Sequence, residues 1–332
     1  MPERVAWGVL GTAQIAREKV IPAIVASANG ELHAVGSRSL RAAQELARSH
    51  SAASAYGDYE ALLADSAVNA VYIPLPNSLH LPWTLRAFAA GKHVLCEKPL
   101  ALNAQQSQTM VDAAESADLL LLEAFMWRFH PRAQRVKRLI EEGAIGEPRL
   151  VRAALCFALE NADDIRFQPE LGGGILLDAG AYGVNAARWF FEAEPLTAQA
   201  EAVYGPTGVD ILIAGILGFG GGRLASIEAS TIAQWQGTFS IVGSEGAIDL
   251  PSDAWIPIRA DPALHIRTMN DKEGRLEVVP GGDVYRLMVE HFADAVLGRT
   301  DLAVSPADAV ANMRALDALG QAASERRRVE LS

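Results

Sequence analysis

Short apolar runs separated by helix-patterned stretches fill the first 125 residues and leave few folds open. Strands are expected over residues 5–10, 32–36, 70–74, 93–96 and 119–124. Helices are expected over 14–28 (interrupted at Pro22), 40–49, 59–64, 79–90 and 104–116. Strand-helix alternation with short links implies parallel strands and right-handed crossovers, a doubly wound sheet. The strands read apolar throughout rather than alternating, as expected where helices cover both faces.

Beyond residue 125 the pattern changes. A helix over 133–142 ends at Gly143, a strand covers 149–158, and a glycine-rich turn precedes a helix over 176–191. Strands then follow one another at 198–204, 211–219, 223–230, 237–242 and 247–250, with hairpin-type turns at Gly220-Gly221-Gly222 and Gly243-Ser244-Glu245-Gly246. Two late helices, 284–297 and 306–324, close the chain. The expected architecture is α/β: a doubly wound domain over 1–125, then an α+β domain over 126–332 with a large, mostly antiparallel, open-faced sheet. The run Ile211 to Leu217 is apolar on both alternating faces, although helices should cover only one. Either a second subunit or a folded-back loop covers the other; a homodimer through the sheet is the favoured reading.

With 50% hydrophobic and 21% charged residues, the chain has the profile of a compact globular protein rather than a disordered one. A net charge of −11 argues against general binding to nucleic acid or anionic membranes, both of which need a basic surface. No apolar run approaches the roughly 18–20 residues that span a bilayer. The N-terminal residues run straight into a strand with no signal-peptide pattern, so a cytoplasmic location is the expectation. Cys96 and Cys156 lie in separate apolar runs and read as buried free thiols rather than a disulfide or metal pair. Neither metal-ligand spacing nor a nucleophile elbow is present.

The chemistry-bearing residues sit at strand ends. The strand at 93–96 delivers Glu97 and Lys98 to its carboxyl end, where Pro99 stops the pairing. Ligands of open α/β sheets bind at that end; the plainer alternative is a pair of ordinary solvated charges. The first strand runs into Gly11-Thr12-Ala13-Gln14-Ile15-Ala16, which matches the dinucleotide fingerprint as Gly11-x-Ala13-x-x-Ala16, with alanine at the second glycine position. Its place, after a strand and opening a helix, offers backbone N–H groups to a phosphate. The second strand ends in Ser37-Arg38-Ser39, where an enzyme preferring NAD usually carries an acidic residue. Hydroxyls and a guanidinium suit a 2′-phosphate, so NADP(H) is expected; the alternative is a solvated arginine opening a helix. Downstream of Gly172-Gly173-Gly174, Asp178 and Tyr182 are four residues apart and share a face if a helix begins there. Gly180 and Gly183 disfavour a helix by roughly 1 kcal/mol each, which either ligand approach or helix packing explains.

Taken in order, these elements, with Pro74-Leu75-Pro76-Asn77, His80 and Glu123-Ala124-Phe125-Met126-Trp127-Arg128-Phe129-His130-Pro131, resemble the glucose-fructose oxidoreductase/inositol dehydrogenase (Gfo/Idh/MocA) family over nearly the whole chain. Many relatives have histidine where Tyr182 stands; tyrosine is similar to the subgroup of NADP-dependent D-xylose 1-dehydrogenases and dimeric dihydrodiol dehydrogenases. The resemblance implies a Rossmann domain binding NADP(H) through Gly11, Thr12, Ala13, Ile15, Ala16, Ser37, Arg38, Pro76, Asn77, His80, Glu97, Lys98 and Arg166, with Arg166 contacting cofactor or substrate. It implies that Lys98 and Tyr182 flank the substrate carbon, with Asp178 orienting a hydroxyl or Lys98. Trp127 and Arg128 would contact a small polyhydroxylated substrate; Phe125 and Phe129 read as plain core. A free tyrosine titrates near 10, and a lysine cation within about 4–6 Å can lower that by roughly 1–3 units, making phenolate an effective base. The implied activity is dehydrogenation of CH–OH groups, an aldose oxidised at C1 to a lactone first and a trans-dihydrodiol second. The alternative is a cofactor-binding regulator that does not turn over. The resemblance also implies a cis Lys98–Pro99 bond.

Overall fold

The computed structural model describes residues 3–257 and 262–331. Met1 and Pro2, and residues 258–261 within the 250–285 stretch expected to shape substrate choice, lie outside the described residues.

Contacts within the chain define two units: residues up to Met126 together with Asp283–Val310, and Trp127–Gly282 together with the residues from Ala311 onward. The first carries a six-stranded parallel sheet built from β1 (Val5–Leu10), β2 (Gly30–Gly36), β3 (Ser54–Tyr56), β4 (Ala70–Ile73), β5 (His93–Cys96) and β6 (Leu121–Glu123). Its spatial order is β3-β2-β1-β4-β5-β6, every pair parallel. That order is the doubly wound one, with its switch point between β1 and β4. β1 and β4 are buried along their whole lengths, which is why their sequences are apolar at every position.

The first unit departs from expectation in three ways. Helical turns continue through Pro22 instead of breaking there. A π turn over Ala16–Val20 leads directly into α1 (Ile21–Ala26), with the Ile21 N–H donating to Ala16 O. Proline lacks a donor and crowds the preceding turn, and the wider π turn relieves both demands. Second, the three-residue edge strand β3 was not expected; it is too short to show a pattern. Third, the expected division at 125/126 omits a return of the chain, because residues 283–310 belong with the first unit. The helix over Val284–Val296 explains this. Its Phe292 is fully buried with the ring 5.6 Å from that of Trp7 on β1, and its Glu290 takes hydrogen bonds from Asn29 and Ala28.

The second unit is a nine-stranded sheet. Its strands are β7 (Pro148–Cys156), β8 (Thr197–Tyr204), β9 (Asp210–Gly220), β10 (Arg223–Ser230), β11 (Gln236–Gly243), β12 (Gly246–Leu250), β13 (Ala263–Thr268), β14 (Asp271–Val278) and β15 (Val329–Glu330). The order is β14-β13-β12-β11-β7-β10-β9-β8-β15, antiparallel throughout except for β7 against β10. The helix over Ala181–Phe191 lies on β7 and β10 so closely that a Cβ on Gly183 would stand 3.0 Å from Ala153 and Ile227. Helix packing therefore accounts for that glycine. Along β9, Ile213, Leu217 and Phe219 are buried while Ile216 is 50% exposed, so one face is covered and the other is apolar but open. β13, β14 and β15 were not expected. β14 (Asp-Lys-Glu-Gly-Arg-Leu-Glu-Val) is an edge strand whose charges mask its pattern while blunting its free edge.

Candidate functional site

In the first unit the expected residues gather at the carboxyl ends of β1, β2, β4 and β5. Gly11, at φ +125°, turns the chain out of β1, and its N–H donates to Gly36 O at 2.8 Å. A Cβ there would stand 3.3 Å from Leu75, so the turn favours glycine on both backbone and packing grounds. Helical turns begin at Gln14, Ala16 is fully buried, and Thr12, Ala13 and Ile15 are partly exposed. The Ser37 hydroxyl accepts the Ser39 N–H at 3.2 Å and Ser39 caps the helix over Leu40–Ser49, leaving Arg38 exposed between them. Burial raises the Tyr59 pKa, and the Arg38 charge works against that shift. A glycine turn out of β1 followed by a helix start fits the pyrophosphate of a dinucleotide.

The loop bearing Lys98 is held by its own Glu97 and by two side chains from other elements, His80 and Glu123. The Lys98–Pro99 bond is cis. Leu100 N–H donates to Glu123 Oε1 at 2.8 Å, and Lys98 N–H donates to Glu97 Oε2 at 3.3 Å. His80 lies 2.9 Å from Pro99 O through one ring nitrogen and 2.7 Å from Leu75 O through the other. Burial first, and the Lys98 charge as well, hold His80 below the ordinary histidine range against the pull of backbone carbonyls. His80 has no exposed surface, and both its ring nitrogens face carbonyls of the neighbouring loops. Pro76 and Asn77 are partly exposed at the start of the turn that precedes it.

Sequence reasoning missed Tyr72 and Glu123 as supports. Fully buried on β4, Tyr72 donates its hydroxyl to Glu97 Oε1 at 2.6 Å. Burial, reinforced by the Glu97 charge, pushes its pKa well up, so it stays a neutral donor. Its one visible signal is a tyrosine inside an otherwise apolar strand.

Asp178, Tyr182 and Arg166 lie in the second unit. The expected helix opens differently: a π turn over Leu176–Gly180 precedes the α-helix over Ala181–Phe191, so Asp178 and Tyr182 straddle a widened turn, a feature frequent at functional sites. Asp210, at the start of β9, accepts the Leu176 N–H at 2.6 Å. Burial raises its pKa, opposed by the backbone N–H groups it accepts. A Cβ on Gly174 (φ +114°) would collide with this carboxylate, which explains that glycine; the only sequence signal for Asp210 is an acid opening an apolar strand. Arg166 donates from Nε to Asp178 at 2.6 Å and from Nη1 to both Asp164 oxygens at 3.0 and 3.2 Å. Burial opposes its charge, yet the two carboxylates, Asp178 foremost, raise its pKa.

Tyr182 is 6% exposed, its ring 5.6 Å from that of Trp255. Trp255 donates to Ala154 O, and the loop carrying it is bolted by Arg132. That guanidinium, 1% exposed, donates to the Asp253 carboxylate at 2.7 Å and to the Asp253 and Ala254 carbonyls. Breaking such a buried pair from one side typically costs about 3–5 kcal/mol. Trp127 packs against Trp189, Phe190 and Trp255, and Arg128 stacks on Trp189. Both are buried among aromatic rings in the manner of core residues, and their assignment to substrate rests on the resemblance alone. Cys96 and Cys156 are buried free thiols. Among the described residues no helix is long and apolar enough to cross a membrane, and no cluster of three or more His, Cys, Asp or Glu could hold a metal.

Residues 5–125 match the model of the oxidoreductase family with an NAD-binding Rossmann fold, and residues 133–249 match the Gfo/Idh/MocA C-terminal domain. The chain belongs to the Gfo/Idh/MocA family. Within this family it is 37% identical to D-xylose 1-dehydrogenase (NADP(+)) 2 of Haloferax volcanii over 98% of its length and 99% of that protein. It is 37% identical to the trans-1,2-dihydrobenzene-1,2-diol dehydrogenase of Danio rerio over 76% of this chain and 75% of the other. Among solved Gfo/Idh/MocA structures it is similar to KijD10, a 3-ketoreductase from Actinomadura kijaniata in complex with NADP and TDP-benzene. The TM-score is 0.90 at 30% identity, covering 96% of this chain and 98% of that one. The protein is thus an NAD(P)-binding oxidoreductase with sugar-related relatives.

Proposed function

We propose an NADP(H)-dependent dehydrogenase that oxidises an aldose at C1 to its lactone, a D-xylose-like pentose before a trans-dihydrodiol. The observation that carries this reading is the near-full-length likeness to an NADP(+)-dependent D-xylose 1-dehydrogenase in a chain that has Lys98, Asp178 and Tyr182. When bound, the cofactor supplies the two-electron acceptor at nicotinamide C4. Tyr182 takes the proton from the C1 hydroxyl as the C1–H bond gives up its hydride, and returns it to the oxygen in the reverse direction. Lys98 favours the phenolate and stabilises charge developing on that oxygen. Asp178, oriented by Arg166, holds a substrate hydroxyl; Glu97, oriented by Tyr72, holds the cofactor's ribose. The small exposure of Tyr182 favours one rival, a cofactor-binding regulator without turnover. NADP⁺ reduction across pentoses, hexoses and dihydrodiols separates the two: reduction by none of them, with NADPH still bound, leaves the regulator standing. The two buried thiols suit a reducing cytoplasm.

Arg38 is assigned to the 2′-phosphate. Arg38→Asp is expected to weaken NADPH binding by about 10–100-fold, the loss of one charge-assisted contact plus repulsion, while NADH binding changes little. Fluorescence titration of both cofactors checks this, and equal weakening would remove Arg38 from the phosphate site.

We also infer a homodimer through the open sheet face, where Ile216, Leu224 and Val203 are about half exposed. Light scattering is expected to give a dimeric mass that falls to the monomer in Ile216→Glu. A monomeric wild type would end this reading.

A further inference from the structure

From Leu155 to Asp178 the sole cation is Arg166, set against Glu160, Asp163, Asp164, Glu170 and Asp178. Two of those carboxylates occupy it, Asp178 through Nε at 2.6 Å and Asp164 through Nη1 at 3.0 and 3.2 Å. The Arg166 carbonyl accepts the Gly174 N–H at 2.9 Å, and a Cβ on Gly173 would meet that carbonyl at 2.6 Å. The charge cluster is therefore built into the turn that opens the helix of Tyr182. Within this segment one guanidinium stands against two carboxylates, and Glu160, Asp163 and Glu170 are exposed with the same negative sign. A phosphate here meets a committed guanidinium and like charge, whereas an uncharged hydroxyl donates to a carboxylate without that repulsion.

We propose that Asp164 and Asp178 withhold Arg166 from anions, so that this site takes uncharged polyols and rejects sugar phosphates and nucleoside-diphosphate sugars, with Asp164 as the specificity-determining residue. The inference rests on the dehydrogenase reading above. Its test compares an aldopentose with its 5-phosphate in wild type and in Asp164→Asn, which keeps the oxygen that accepts the Arg166 N–H at 2.9 Å. Wild-type kcat/KM is expected to favour the neutral sugar by about 100-fold, and Asp164→Asn to narrow that ratio by about tenfold. Calorimetric titration of the NADPH-loaded wild type with thymidine diphosphate is expected to show no micromolar binding. Equal or better turnover of the phosphate, an unchanged ratio in Asp164→Asn, or micromolar thymidine diphosphate binding would each overturn the proposal. If no sugar is oxidised, the dehydrogenase reading fails by itself, and the diphosphate titration still decides whether the site accepts anions.

Discussion

Replacing Lys98 with methionine is expected to lower turnover by at least about 10²–10³-fold while NADPH affinity stays within about threefold, the pattern expected when a group acts mainly on the transition state. Methionine keeps most of the stem and removes the charge. The loop keeps its backbone supports in the variant: Leu100 N–H to Glu123, Lys98 N–H to Glu97, and the Pro99 carbonyl to His80. Single-turnover NADP⁺ reduction beside a fluorescence titration separates chemistry from cofactor binding. Near-normal rates would take the lysine out of the mechanism, and a matching loss of NADPH affinity would recast it as a binding group.

Tyr182→Phe is expected to cost about 10²–10⁴-fold in kcat, the usual contribution of a general acid or base. Phenylalanine retains the ring that packs on Trp255, and a thermal melt run beside the kinetics separates lost chemistry from lost stability. In the oxidative direction the wild-type rate should rise with pH as the phenol ionises, and that limb should vanish in the variant. A loss under tenfold, or an unchanged pH limb, would hand the proton to another group.

The parallel sheet was readable because both of its faces are covered. Burial on two sides forces β1 and β4 to be apolar at every position, and that run is visible without coordinates. Edge strands escaped for the opposite reason: β14 carries charges where a central strand could not. At the candidate site, residues next to a motif were legible and their supports were not. Lys98 stands inside Glu97-Lys98-Pro99, whereas Glu123, Tyr72 and Asp210 reach their partners from 23 to 34 residues away. His80 closes a recognisable motif, but its burial against two carbonyls leaves no mark in the sequence. The two π turns have no periodicity of their own, and at the first of them Pro22 signals a break that the backbone avoids.

The return of residues 283–310 to the first unit has a practical consequence for anyone wishing to dissect this molecule. A fragment stopped at Met126 would leave Trp7 without the Phe292 ring that shields it, exposing an indole in the middle of β1. Isolating the nucleotide half therefore calls for splicing the late helix back on, and gene fusions or split reporters joined at a single junction near residue 126 would inherit an unfinished core.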